Sequence, residues 1–192
     1  MTIIRTITAF SSQRWKASEL QTTGMISSSL SKVEASFVEQ ADLILLAGGD
    51  VEKGWRAFER SGLKDLIIRR YAEGVLLVGL SAGAVQLGML GWSEAEAQCE
   101  NLFDTFRLVP FVISAHQEKD DWRALKKVLQ VTPIKVAGLG IPSGGGMIYH
   151  ADGSVEPIRY PLHEFSLAQG RVNRNLLLPK DGPAVIEALE IC

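Results

Sequence analysis

Leu76 to Gly88 reads LLVGLSAGAVQLG. A short aliphatic run stops at Gly79-Leu80-Ser81-Ala82-Gly83, and small residues follow. A continuous apolar run of this length suits a strand covered on both faces, as in a parallel sheet. The following AGAVQLG is compatible with the opening of a helix. A strand that turns sharply into a helix needs small residues around the apex, so that the two backbones can pass closely. Gly79-x-Ser81-x-Gly83 has the form of a nucleophile elbow, with Ser81 held at the apex on strained backbone. In that geometry the Ala82 N–H, at the start of the helix, faces a developing oxyanion. The bland alternative is a tight turn in which Ser81 is merely small.

Upstream, DLILLAG (Asp42 to Gly48) is a second strand of the same kind, and it ends in Gly48-Gly49-Asp50. Paired glycines at the carboxyl end of a parallel strand let the backbone approach a ligand. The Gly49 N–H is the candidate second oxyanion donor, with Gly48 and Asp50 as candidate substrate contacts. Asp50 also has the chemistry of a helix N-cap.

Further runs fit strands: TIIRTITA (Thr2 to Ala9), GVLLVGL (Gly74 to Leu80), PFVISA (Pro110 to Ala115) and IKVAGLG (Ile134 to Gly140). Amphipathic segments lie between them: Ser29 to Gln40, Gly54 to Glu73 with a break near Gly62, and Asp120 to Gln130. In the last, KDDWRALKKVLQ, acids come first and lysines late, as a helix dipole prefers. GGMIYHADGSVEPIRY reads as strand, Asp-Gly turn, strand. AVIEAL (Ala184 to Leu189) reads as a short helix or a last strand. The expected fold is α/β: one domain over residues 1–192, with a mainly parallel sheet, helices on both faces and a C-terminal β-hairpin.

The composition narrows the function. The 192 residues are 46% hydrophobic and 22% charged, ordinary for a globular chain. A formal net charge of −2 gives no electrostatic case for nucleic acid or an anionic membrane. Basic pairs at Arg69-Arg70 and Lys126-Lys127 read as solvated helix faces. Cys99 and Cys192 have no CxxC spacing and no histidine nearby, so no metal site is expected. The N-terminal MTIIRTITAFSSQRW lacks the ordered regions of a signal peptide, and no apolar run is long enough to span a bilayer. A cytoplasmic location is the expectation.

A nucleophilic serine needs a base. Of three histidines, His116 follows the strand PFVISA and precedes a helix, which puts it at the same sheet end as Ser81 if the sheet is parallel. Its bland alternative is a capping or surface histidine. His150 lies beside the Asp-Gly turn, and His163 in YPLHEF.

With these pieces in order, the chain resembles the peptidase E family, aspartyl dipeptidases related to cyanophycinases. LLAGGD looks like the family's strand and GG-N/D turn. GLSAGA matches its G-x-S-A-G-A signature. NLFDTFRLVPFVISAH is similar to the segment that leads to its histidine, and KVAGLGIPSGGGMIY to the one that carries its triad glutamate. The likeness runs from about Asp42 to the hairpin; the first forty residues match weakly. It implies a class I glutamine amidotransferase-like, flavodoxin-like fold. It implies Ser81 as nucleophile, His116 as base, and Gly49 and Ala82 as oxyanion donors, with no cofactor. An ordinary α/β-hydrolase, the runner-up, would use His163 as base.

Two departures stand out. GIPSGG puts Ser143 where the family carries its glutamate. A serine hydroxyl can fix an imidazole tautomer, but it brings no charge. Glu118, Asp152 and Glu164 are the candidate substitute acids. The family's selectivity for an N-terminal aspartyl residue relies on basic side chains after the histidine. Here HQEKDDWRALKKVL offers Gln117 and Arg123 as candidate substrate contacts amid several acids, which disfavours an aspartyl side chain. Trp122 reads as an apolar pocket wall or as a core aromatic. The expected activity is serine-based hydrolysis of small peptides through an acyl-enzyme, with a small peptide as partner and a homodimer as candidate assembly. The alternative is a non-catalytic ligand-binding or interaction protein on the same scaffold.

Overall fold

The segment GWRAFERSGLKDLIIRRYAE (Gly54 to Glu73) shows how local chemistry sets the architecture. The computed structural model describes residues 4–5, 24–26, 30–93 and 101–180, and here it breaks one apolar periodicity into two helices. Gly62 is the joint, at φ +78, a left-handed value that glycine adopts without strain. The Ser61 hydroxyl donates to the Ala57 carbonyl at 2.7 Å and closes the last turn before it.

The chain divides into two compact units, Met1–Leu108 and Val109–Cys192. In the first, β1 (Ile4–Arg5) pairs antiparallel with β2 (Met25–Ile26). The helix α1 (Lys32–Glu39) starts at Ser31 with a reciprocal cap. The Glu34 N–H donates to Ser31 Oγ at 3.2 Å, and the Ser31 N–H to Glu34 Oε2 at 2.8 Å. Next come β3 (Leu43–Leu46), α2 (Val51–Ser61), α3 (Leu63–Ala72), β4 (Leu76–Gly79), α4 (Ala82–Leu87), β5 (Leu90–Trp92) and β6 (Leu102–Asp104). β3 and β4 are parallel and in register from Leu43↔Leu76 to Leu46↔Gly79, while β5 and β6 are antiparallel. Ile44, Leu46, Trp55, Phe58, Ile67 and Phe106 form the buried core. Trp55 meets Phe106 edge-on at 5.0 Å, and Phe58 tilts against the same ring at 5.3 Å.

Asp50 caps α2 by accepting the Lys53 N–H at 2.9 Å, with the Lys53 ammonium 3.3 Å away. The Lys53 N–H chiefly holds the Asp50 carboxyl below its usual value; burial opposes it, and the Lys53 side chain adds a smaller downward pull. A lowered folded-state value means that the contribution is full above the unfolded carboxyl range and is lost as pH falls through the folded value. Asp50→Ala is expected to cost about 1 kcal/mol at neutral pH, and Asp50→Asn only a fraction of that. Urea denaturation checks this, and the gap between wild type and Asp50→Ala should narrow below about pH 4.

The second unit contains β7 (Phe111–Ala115), a single 3₁₀ turn (Glu118–Asp120), α5 (Arg123–Val131), β8 (Ala137–Ile141), β9 (Gly146–Tyr149), β10 (Val155–Ile158), β11 (Leu162–Ala168) and β12 (Arg171–Leu177). A four-stranded sheet has the order β12-β11-β8-β7. β7 and β8 are parallel, and the other two pairings are antiparallel. Leu125 and Leu129 of α5 press on Gly138, where a Cβ would stand 3.0 Å from each leucine methyl.

The expected strands at Asp42, Gly74, Pro110 and Ile134 are present; the first two are trimmed at both ends, the third loses only Pro110, and the fourth starts at Ala137 and runs on to Ile141. The Asp-Gly hairpin is present as β9 and β10, with Gly153 at φ +83 and the Ser154 N–H on Asp152 Oδ1 at 2.8 Å. The last amphipathic segment starts later than its charges imply. Asp121 and Trp122 are both left-handed, at φ 48 and 56, and α5 begins only at Arg123. Burial of the Trp122 indole (1% exposed) against Gly140, Phe165 and His163 draws the chain into that turn. Trp122 is thus a core aromatic and not a pocket wall. The acids before it serve elsewhere: Asp121 pairs with Lys126 at 2.6 Å and with Arg174 at 3.1 Å. Most of Thr2 to Ala9, Cys99, Ala184 to Leu189 and Cys192 lie outside the described residues. Among the described residues no helix is long and apolar enough to cross a membrane.

Candidate active site

In the first unit the elements around Ser81 are locked together by backbone. Ser81 sits between β4 and α4 at φ 51 and ψ −114, a combination that costs a non-glycine residue about 1–3 kcal/mol. The Leu80 N–H donates to the Leu46 carbonyl at 2.9 Å and carries the β3–β4 pairing up to the turn. The flanking glycines are fixed by close approach. A Cβ on Gly79 would lie 2.6 Å from the Ala84 backbone, and one on Gly83 would lie 2.1 Å from the Leu46 carbonyl oxygen. Ala82 is the first residue of α4, so its N–H has no carbonyl one turn back within the helix.

Gly48 packs directly on the serine: its own Cβ would stand 3.2 Å from Ser81 Cβ. Gly49 follows at φ +147, with nothing within 4 Å of where its Cβ would be. Gly48, Gly49, Ser81 and Ala82 are therefore brought together, and Asp50 joins them as the cap of α2. Sequence reasoning missed Gln86. This side chain is fully buried, and its Nε2 donates to the Val51 carbonyl at 2.9 Å. It ties α4 to the residue after the Gly48-Gly49-Asp50 turn. Its signal was a lone amide in a helix otherwise made of small and apolar residues.

In the second unit His116 leaves β7 at φ 47, another left-handed non-glycine residue, and its N–H donates to the Ile141 carbonyl at 2.8 Å. Ala115 and Ile141 are register partners, so His116 and the Pro142-Ser143 segment leave adjacent parallel strands at the same end. Pro142 to Gly145 is a β-turn closed by the Gly145 N–H on the Pro142 carbonyl at 3.0 Å, with Gly144 at φ +72. Ser143 stands in this turn, and its N–H donates to Glu118 Oε1 at 3.2 Å. Glu118 Oε2 is buried and accepts no hydrogen bond among the described residues. The Ser143 hydroxyl first, then the Glu118 and Ser143 N–H groups and the His116 imidazole, hold the Glu118 carboxyl below its usual value; slight burial opposes them.

The other candidates are placed differently. Gln117 Oε1 accepts the Ser114 hydroxyl at 2.8 Å, and Arg123 is exposed at the start of α5. His150 Nε2 meets Glu156 Oε2 at 2.8 Å. His163 accepts on Nδ1 from Arg174 and lies against Trp122 at 5.2 Å. Burial first, and Arg174 next, lower its pKa and keep the ring neutral. Asp152 closes its own turn, and Glu164 faces Asn175 at 3.4 Å. Of the three candidate acids, Glu118 is the one bonded to Ser143. No group of three or more His, Cys, Asp or Glu among the described residues is placed to hold a metal ion.

The family model for peptidase family S51 matches residues 3–157. The chain belongs to peptidase family S51. The turn at Ser81 and the end of β7 at His116 both lie within the matched span. Among solved structures, the S51 chain is similar to a peptidase from an acI-B1 actinobacterium, with a TM-score of 0.61 at 19% identity over 77% of this chain. It spans 61% of that protein's length. The two share a mixed α/β fold. A putative peptidase E protein from Listeria monocytogenes EGD-e aligns over 79% of this chain and 69% of its own, at 17% identity and a TM-score of 0.47. Comparison with functionally curated proteins gives no match.

Proposed function

We propose that the protein is a serine peptidase that cleaves small peptides or aminoacyl amides through an acyl-enzyme. The observation that carries this reading is the backbone at Ser81. A strained serine between two glycines packed to contact has a clear use if its hydroxyl must be presented at the sheet end. In the proposed reaction Ser81 Oγ attacks the scissile carbonyl carbon and its proton passes to His116. The carbonyl oxygen becomes an oxyanion held by the Gly49 and Ala82 N–H groups. The C–N bond then breaks, and His116 returns the proton to the leaving amine. Water repeats the sequence on the ester, which frees the acid and Ser81. Ser143 orients the imidazole, and Gly48, Asp50, Gln117 and Arg123 flank the substrate.

Glu118 and Asp120 stand in the turn after His116, so substrates with a neutral N-terminal residue are expected to outrun aspartyl ones. One observation favours a second reading. Ser143, in the turn after β8, is uncharged, and loss of a triad carboxylate's charge has cost about 10⁴ in rate in a well-studied serine protease. A binding protein on the same scaffold would tolerate that loss.

Two assays decide between the readings. A fluorophosphonate probe should add covalently to Ser81, located by peptide mass spectrometry. A panel of dipeptides and aminoacyl amides, Asp-X among them, should include at least one that is hydrolysed. Labelling and turnover support the peptidase. A protein that neither labels at Ser81 nor cleaves any member is a binding protein.

A further inference from the structure

We infer that Glu118 is a positioning acid for His116, acting through Ser143: its carboxylate accepts from the Ser143 N–H and hydroxyl, and the Ser143 oxygen accepts a ring N–H of His116. The inference rests on the reading of His116 as general base for its catalytic consequence; its geometric support is the β7–β8 register and the contact of Glu118 with the Ser143 N–H. His116 and Ser143 leave the adjacent parallel strands β7 and β8 at one end, joined by the His116 N–H on the Ile141 carbonyl at 2.8 Å. Glu118 reaches across from the 3₁₀ turn after His116 to the Ser143 N–H at 3.2 Å, a bond between residues 25 apart in sequence. Its second carboxylate oxygen is buried yet accepts no hydrogen bond among the described residues, an arrangement that costs free energy unless a donor or positive charge comes near.

The other charged groups nearby are otherwise engaged or point to solvent. Asp121 is taken by Lys126 and Arg174, while Lys119 and Asp120 are exposed on the same turn. The lowered pKa of Glu118 agrees with an ionised carboxylate in this place. Physically, a carboxylate one hydroxyl away polarises the Ser143 O–H and makes its oxygen a better acceptor. One imidazole N–H is then fixed toward Ser143, and the other ring nitrogen keeps a lone pair for proton transfer.

The test reads the imidazole directly. With three histidines in the chain, ring nitrogen shifts of His116, His150 and His163 can be assigned by single substitutions, at a pH where all are neutral. Wild-type His116 is expected to hold one tautomer predominantly. Glu118→Gln and Ser143→Ala should each reduce the tautomer ratio by about fivefold, the worth of one ordinary hydrogen bond. Glu118→Asp, which keeps the charge, should restore most of it, and Asp120→Asn should leave it unchanged. His150, held by Glu156 on the hairpin, reports that the fold is intact. A His116 ratio that is alike in wild type, Glu118→Gln and Ser143→Ala overturns the inference, as does an equal effect of Asp120→Asn. Where a substrate is cleaved, Glu118→Gln should lower kcat about tenfold or more with KM within about twofold, the split for a group that acts on the transition state. A wild type that cleaves nothing defeats the peptidase reading and leaves the tautomer result standing.

Discussion

Ser81→Ala is expected to lower kcat by about 10⁴-fold or more on any peptide that the wild type cleaves, with KM little changed. The loss is large because the acyl-enzyme cannot form without Oγ; oxyanion donors and binding alone leave only residual acceleration. The companion expectation concerns stability. Ser81 lies at φ 51 and ψ −114, where alanine is as strained as serine but glycine is not. Ser81→Gly should therefore be more stable than wild type by about 1 kcal/mol, and Ser81→Ala should stay within about half of that. Urea midpoints read the difference. Turnover within tenfold of wild type in Ser81→Ala would remove the serine from the chemistry. A Ser81→Gly variant less stable than wild type would remove the strain argument.

Gly83→Ala is expected to be the most damaging single methyl in the first unit. The added carbon would lie 2.1 Å from the Leu46 carbonyl oxygen and 2.6 Å from its carbon. Both obstacles are backbone of β3, so no rotamer change relieves them. Either α4 moves away from β3 or the β3–β4 register opens. The cost is expected to be about 4 kcal/mol or more, a large share of the 5–15 kcal/mol that holds a typical domain. Circular dichroism during denaturation should show a lost or strongly shifted transition. A shift worth less than about 1 kcal/mol would mean that the helix and strand are not in the contact described.

Legibility from sequence followed the range of the interaction. The strand, turn and helix at Leu76 to Gly88 were readable because the glycine spacing encodes a close approach within a few residues. The break at Gly62 and the Asp152-Gly153 hairpin were readable for a different local reason, a glycine at positive φ. His116 could be placed because it ends an aliphatic strand. The hairpin of β11 and β12 carries no comparable signal. Its turn is Gln169-Gly170, with both residues at positive φ, and glutamine is a weak marker for such a turn. Its second strand, RVNRNLL, is largely exposed and carries no clean alternation. The charge pattern sets the start of α5 too early because it cannot announce that Trp122 is buried on Gly140. Glu118 was one of three candidate acids in sequence, and only its contact with Ser143, 25 residues away, sets it apart. Gln86 gave no sign of reaching Val51, 35 residues earlier.

The three ties around Ser81 have a mechanical meaning. Leu80 is held to Leu46 by a hydrogen bond, Gly48 rests against the Ser81 side chain, and Gln86 grips Val51. These fastenings do not lie along one line of the chain, and together they brace two loops as a truss braces two beams. Gly49 and Ala82 are each next in the chain to a braced residue, Gly48 and Ser81, so the bracing restrains changes in the gap between their amides.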